Sequence, residues 1–159
     1  MRRRAFVFPA GLAFLVAVSS AALAATPRDE VHRAVSAWHR AAAKADEEAY
    51  FALFAADAVF LGSDATERWT RDSFRKWAHP YFARGKAWTL IPTERHVALS
   101  ADATVAWFDE LLHSPAYGQC RGSGVVVLQG GGWRIAQYNF SIPIPNALAD
   151  SVVRQIRGR

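Results

Sequence analysis

The 159-residue sequence predicts an α+β fold, with N-terminal helices packed on one face of a curved, mostly antiparallel sheet. Three observations predict it. Apolar residues recur at helical spacing through most of the stretch from Arg28 to Gly85. After Lys86 the pattern changes to strand-like runs broken by turn residues. A Gly130-Gly131 pair then joins two long runs in the manner of a tight hairpin.

The first residues, MRRRAFVFPAGLAFLVAVSSAALA, read as a leader. Three arginines precede an apolar run, and Ala22-Leu23-Ala24 has the small-residue pattern of a cleavage site. Residues 1–24 are therefore expected to be a cleaved signal peptide, which implies a periplasmic or secreted protein. The run is broken by Pro9 and Gly11 and is short for a membrane span. Both Sec and twin-arginine export stay open. Cleavage removes Arg2, Arg3 and Arg4, so the formal charge falls from +5 to +2. No basic run with interleaved aromatics follows, so no nucleic-acid partner is expected, nor any membrane partner after cleavage. Cys120 is the sole cysteine, which rules out an intrachain disulfide and suits a small buried residue. The five histidines form no metal-ligand spacing, and no phosphate-cradling glycine loop stands between a strand and a helix, so neither metal nor cofactor is expected.

From Arg28 to Lys44, Val31, Val35, Trp38 and Ala42 make one apolar helical stripe. Asp46 reads as an N-cap, with Glu47 and Glu48 at the positive end of the helix it opens. A short strand, 58–61, follows. Thr70 caps a third helix bearing Phe74, Trp77, Tyr81 and Phe82, with Pro80 expected to kink it or end its regular part and Gly85 as its stop. Strands are expected over 88–99, 104–112, 119–129 and 132–142, with Pro92 marking an edge or a bulge. Asn146 reads as the cap of a last amphipathic helix with Leu148, Val152 and Ile156 on one face. With no internal repeat or linker, the organisation is signal 1–24, one domain 25–146, and a C-terminal helix and tail 147–159.

A Gly130-Gly131 loop puts Leu128 opposite Trp133, Val126 opposite Ile135, Gly124 opposite Gln137 and Gly122 opposite Asn139. Val125, Val127, Ala136, Tyr138 and Phe140, with Arg121 and Arg134, then share the other face. Both faces are largely apolar, where a solvated face would alternate. A second copy of the chain is the simplest cover, so a homodimer is expected.

Read together, FLGSDATERWTRDSFRKW, WTLIPTERHVALSADATVAWFDELL and YGQCRGSGVVVLQGGGWRIAQYNFSIPIPN resemble the SnoaL-like branch of the nuclear-transport-factor-two-like superfamily, which also contains ketosteroid isomerase. The resemblance spans Val31 to Asn146. It implies a cone-shaped α+β fold enclosing a pocket between helices and sheet, and usually a homodimer. It fixes no activity, because this fold carries isomerases, dehydratases, hydrolases and binding modules alike.

Asp109 and Glu110 are the carboxylates nearest an apolar strand, and Arg121 follows the next turn. Adjacent strand residues point to opposite faces, so the two cannot form a dyad. A one-residue slip decides whether Arg121 pairs with Asp109 or with Glu110. Asp109, with Trp107 on its face, is read as the site carboxylate ahead of Glu110, for which a cross-strand ion pair is the competing role. Gln137 and Asn139, read as core-facing, need polar partners that a ligand pocket supplies, and Gly122 and Gly124 leave space above them. Tyr50 and Trp69 join the pocket through their polar handles, and His96 as a proton carrier. Asp64 and Glu67 lie where relatives place rim groups, although an Asx turn is the plainer role for Asp64. His32 and His39 read as surface.

The chain is therefore expected to bind a small hydrophobic organic ligand. In one reading Asp109 or Glu110, assisted by Arg121, runs a cofactor-free isomerase, dehydratase or hydrolase step. In the other the domain is a non-catalytic ligand-binding or dimerisation module.

Overall fold

The computed structural model describes residues 24–158. The expected signal segment lies, but for Ala24, outside the described residues. Helix α1 (Pro27–Ala43) opens on a capping box, with Thr26 Oγ1 accepting from the Asp29 N–H at 3.2 Å and Asp29 Oδ2 accepting from the Thr26 N–H at 3.0 Å. Asp46 caps α2 (Glu47–Ala52) by accepting from the Ala49 N–H at 3.0 Å. The chain then enters β1 (Phe54–Leu61), four residues earlier than expected, because α2 lasts only six residues. A strand absent from the sequence reading, β2 (Arg68–Thr70), pairs with it. Thr70 caps α3 (Arg71–Ala83), which continues through Pro80 rather than ending there.

Four long strands follow: β3 (Ile91–Leu99), β4 (Val105–Ser114), β5 (Gly118–Gln129) and β6 (Gly132–Ser141). They form an antiparallel meander, and β1 joins it parallel to β6, giving the order β2-β1-β6-β5-β4-β3. Pro92 sits both on the edge strand and at a register shift. Gly130 and Gly131 turn the hairpin with φ of 57° and 75°, left-handed values that suit glycine. The result is a curved, unclosed sheet with α1 across β3 and β6, and α3 against β1 and β2.

One residue alters the expected faces. Val126 pairs with Ile135 as the hairpin predicts, but Val125 pairs with Gln137, so Ala136 is the extra residue of a β-bulge. Beyond it the faces exchange. Tyr138 and Phe140 turn toward the helices, and Gln137 and Asn139 turn to the outer side. On β4, Ala106, Phe108, Glu110 and Leu112 are buried under the helices, while Trp107 and Asp109 are exposed on the other side. The core joins Trp38, Tyr50, Phe54, Phe74, Ile135 and Tyr138.

After β6, a 3₁₀ turn (Asn146–Leu148) leads to α4 (Ala149–Arg157). Asn146 lies inside the turn and makes no side-chain cap, so the expected start of this helix is corrected. None of the α4 residues is buried.

Candidate functional site

Two features stand behind the inner face: a buried polar cluster, and a cavity beside it. The cluster centres on Glu110, whose side chain is fully buried. Its Oε1 lies 2.6 Å from His39 Nε2 and accepts from the Tyr138 hydroxyl at 3.0 Å. Its Oε2 accepts from Arg95 Nε at 2.8 Å, and Arg95 Nη2 stands 2.7 Å away without hydrogen-bond alignment. Arg95 Nη1 donates to Ser36 Oγ at 2.9 Å and to the His32 carbonyl at 3.2 Å, which anchors β3 to α1. A carboxylate only accepts, so His39 Nε2 carries the proton in this contact.

Burial alone pushes the Glu110 carboxyl up, but the His39 hydrogen bond and charge and the Arg95 charge and hydrogen bond together outweigh it. The group is held below its ordinary 4.5. Tyr138 is driven well above its usual value, first by burial and then by the negative Glu110 beside it. Its phenol therefore stays protonated. Gly122 makes the contact possible, because a Cβ there would come within 2.1 Å of the Tyr138 hydroxyl. The space expected above Gly122 and Gly124 is thus filled, by Tyr138 and Glu110 over one and by Phe108 and the Gln137 carbonyl over the other.

The cavity holds about 530 Å³, within the range of small-molecule sites. Its walls are aromatic. Trp69, Trp77 and Trp88 come from β2, α3 and the segment before β3, and Phe60, Tyr138 and Phe140 come from the sheet. The rings pack in series, with Phe60 stacked on Phe74 at 4.0 Å and Trp69 on Trp77 at 5.2 Å. Its open side lies among the loop from Gly62 to Glu67, the Ser114–Tyr117 turn and the half-exposed Trp77 and Tyr81. Ser63, Glu67, Thr89 and Ser114 are its polar side chains apart from the aromatic ones. Trp38 also lines it, and its buried indole N–H has no hydrogen-bond partner among the described residues.

The residues singled out from sequence do not converge. Trp69 lines the cavity. Tyr50 is wholly buried behind it, its hydroxyl near Trp88 but without a hydrogen bond of good geometry, and burial raises its pKa. His96 is exposed beside Glu94, with Nε2 2.7 Å from Oε1. Trp107, Asp109 and Arg121 lie on the outer face, as do Gln137 and Asn139 beyond the bulge. The register has Leu111 opposite Arg121 and Glu110 opposite Gly122, so Arg121 shares a face with Asp109 and not with Glu110. Asp64 makes the Asx turn, accepting from the Thr66 N–H at 2.8 Å. Cys120 is buried on the inner side.

Sequence reasoning missed His39, Arg95 and Tyr138. His39 carried a usable signal, since it falls four residues after Val35 and eight after Val31, inside the buried stripe. The group formed by Arg95 and Tyr138 depends on strand pairing and on the bulge, so no local pattern marks it. Among the described residues no group of three or more His, Cys, Asp or Glu is placed to hold a metal ion, and no helix is long and apolar enough to cross a membrane.

A family model described as a SnoaL-like domain matches residues 31–145. No curated protein matches the sequence. Among solved structures, an NTF2-like protein from Pseudomonas putida KT2440 is similar at 15% identity and a TM-score of 0.62, covering 74% of this chain and 87% of that one. A candidate dehydratase of the NTF2-like family from Streptomyces avermitilis is similar at 16% identity and a TM-score of 0.64, covering 76% and 100%. A candidate aromatic ring hydroxylase from Novosphingobium aromaticivorans is similar at 18% identity and a TM-score of 0.60, covering 75% and 90%. At these identities the likeness is one of fold.

Proposed function

The chain belongs to the SnoaL-like domain family, and from that premise we propose that it is a binding domain for a small, largely apolar organic molecule held in the aromatic cavity. The observation that carries this reading is the cavity itself. About 530 Å³ of space is walled mainly by aromatic rings, with few polar groups around it. Burial of a ring-bearing ligand against indoles and phenyl faces supplies affinity through apolar area and offset stacking.

Binding is favoured over catalysis by the distribution of acids and bases. The Glu110 oxygens are engaged by His39, Tyr138 and Arg95, and Glu110 is not among the residues lining the cavity. Asp109 faces away from it. Of the groups lining the cavity, Tyr138 has its hydroxyl tied to Glu110, and the Glu67 carboxylate at the loop accepts from the Asp64 N–H with no acid or base partner beside it among the described residues. The raised pKa of the Tyr138 phenol makes it a weak proton donor.

Two further parts of the proposal concern the whole chain. A second copy covers the outer sheet face, where Trp107 is 52% exposed, and residues 1–24 direct export. Native mass spectrometry of protein purified from the cells that make it tests the reading. The expected species is a dimer beginning after Ala24 and carrying a non-covalent organic mass. A ligand-free monomer that takes up no small aromatic compound contradicts it.

A further inference from the structure

Among the described residues nineteen line the cavity, and of these Glu67 alone bears a charge. Among the described residues its carboxylate forms no ion pair. The loop is nevertheless built around it. Glu67 Oε2 accepts from the Asp64 N–H at 3.2 Å, the Glu67 N–H donates to the Asp64 carbonyl at 3.0 Å, and the Gly62 N–H donates to the Glu67 carbonyl at 2.9 Å. A Cβ at Gly62 would stand 2.1 Å from Oε2 and 2.9 Å from the Glu67 Cβ. Glycine at that position is what lets the carboxylate fold back against the end of β1.

The indoles of Trp69, Trp77 and Trp88 line the same cavity as this carboxylate. Trp77 lies 5.2 Å from Trp69 and 6.3 Å from Trp88, ring centre to ring centre. Indole faces attract organic cations, most strongly where water is excluded. The same chemistry already operates at the edge of the cavity, where the Arg84 guanidinium lies over the Tyr81 ring at 5.1 Å. Among the described residues no lysine, arginine or histidine lines the cavity to compete for Glu67 or to neutralise it.

The geometry points to a cationic ligand: the cavity takes an organic ammonium, quaternary or otherwise apolar-substituted, with its charge between Glu67 and the indoles of Trp69, Trp77 and Trp88. This rests on the reading of the cavity as a ligand site and names the chemical class it selects. A neutral aromatic of the same shape gains the apolar burial but not the charge interaction, and a carboxylate ligand is repelled.

Phenyltrimethylammonium and tert-butylbenzene have the same shape and differ in charge, so they are the probes. Binding of each to the protein is followed by tryptophan fluorescence. The ammonium is expected to bind about ten-fold more tightly than the hydrocarbon, a margin between those of exposed and fully desolvated cation–π sites. Glu67→Gln is expected to remove most of that preference, read as the ratio of the two affinities. Gly62→Ala, which displaces the carboxylate without removing it, is expected to reduce the same preference. Equal binding of the two probes to the unaltered protein overturns the cationic class and leaves the cavity reading standing. A preference that survives Glu67→Gln overturns the role of Glu67. Failure of both probes to bind overturns the inference together with the reading beneath it.

Discussion

Glu110 is the residue on which the inner face turns. It is an ionised carboxylate with no exposure, and burial at that depth is tolerated only because His39, Tyr138 and Arg95 surround it. Its partners come from α1, β3 and β6, so the charge ties three elements together at one point. Glu110→Gln keeps the shape and removes the charge, leaving the Arg95 side chain 6% exposed and without its counter-ion. The expected cost is about 3–5 kcal/mol, read as a fall in the urea midpoint. The pH dependence has a definite sign. A carboxyl whose folded-state pKa lies below its ordinary 4.5 contributes stability above that value, and loses it as pH falls through the folded value. The gap between the unaltered protein and Glu110→Gln is therefore expected to narrow as pH drops below 4.5. A gap that stays constant into acid places the stabilisation elsewhere.

The elements were legible wherever their signals were local. The Asp46 and Thr70 caps, the glycine turn and the apolar stripe of α1 each involve residues within a few positions of one another, and each stands as the sequence predicts. What needs pairing information was not legible. The bulge at Ala136 reverses the faces of everything after it on β6, and no residue type announces it. That one insertion moves Gln137 and Asn139 away from the cavity and brings Tyr138 and Phe140 to it. The parallel union of β1 with β6 joins segments about eighty residues apart, beyond any periodicity. At the other end, α4 is amphipathic in sequence yet buries none of its residues, so its nine positions depend on little besides their own helix propensity. Truncation after Leu148 is accordingly expected to change unfolding stability by less than about 1 kcal/mol. A larger loss in thermal or urea unfolding contradicts that picture of α4.

At the scale of the whole molecule the sheet divides two kinds of surface. Helices and loops on its inner side enclose the aromatic cavity and the Glu110 cluster, while its outer side presents Trp107 among Val105, Leu111 and Val125. The six tryptophans sample both sides and the core between them. Trp38, Trp69, Trp77 and Trp88 line the cavity, Trp133 is buried away from it, and Trp107 lies on the outer face. Their indole N–H resonances can therefore report where a ligand sits. The most direct test of the central claim is an NMR titration of the nitrogen-15-labelled protein with tert-butylbenzene, following all six indole signals. The Trp38, Trp69, Trp77 and Trp88 signals are expected to shift together and saturably while those of Trp107 and Trp133 hold still. Saturable movement of Trp107 with the four cavity indoles unmoved would put the ligand on the outer sheet and contradict that claim.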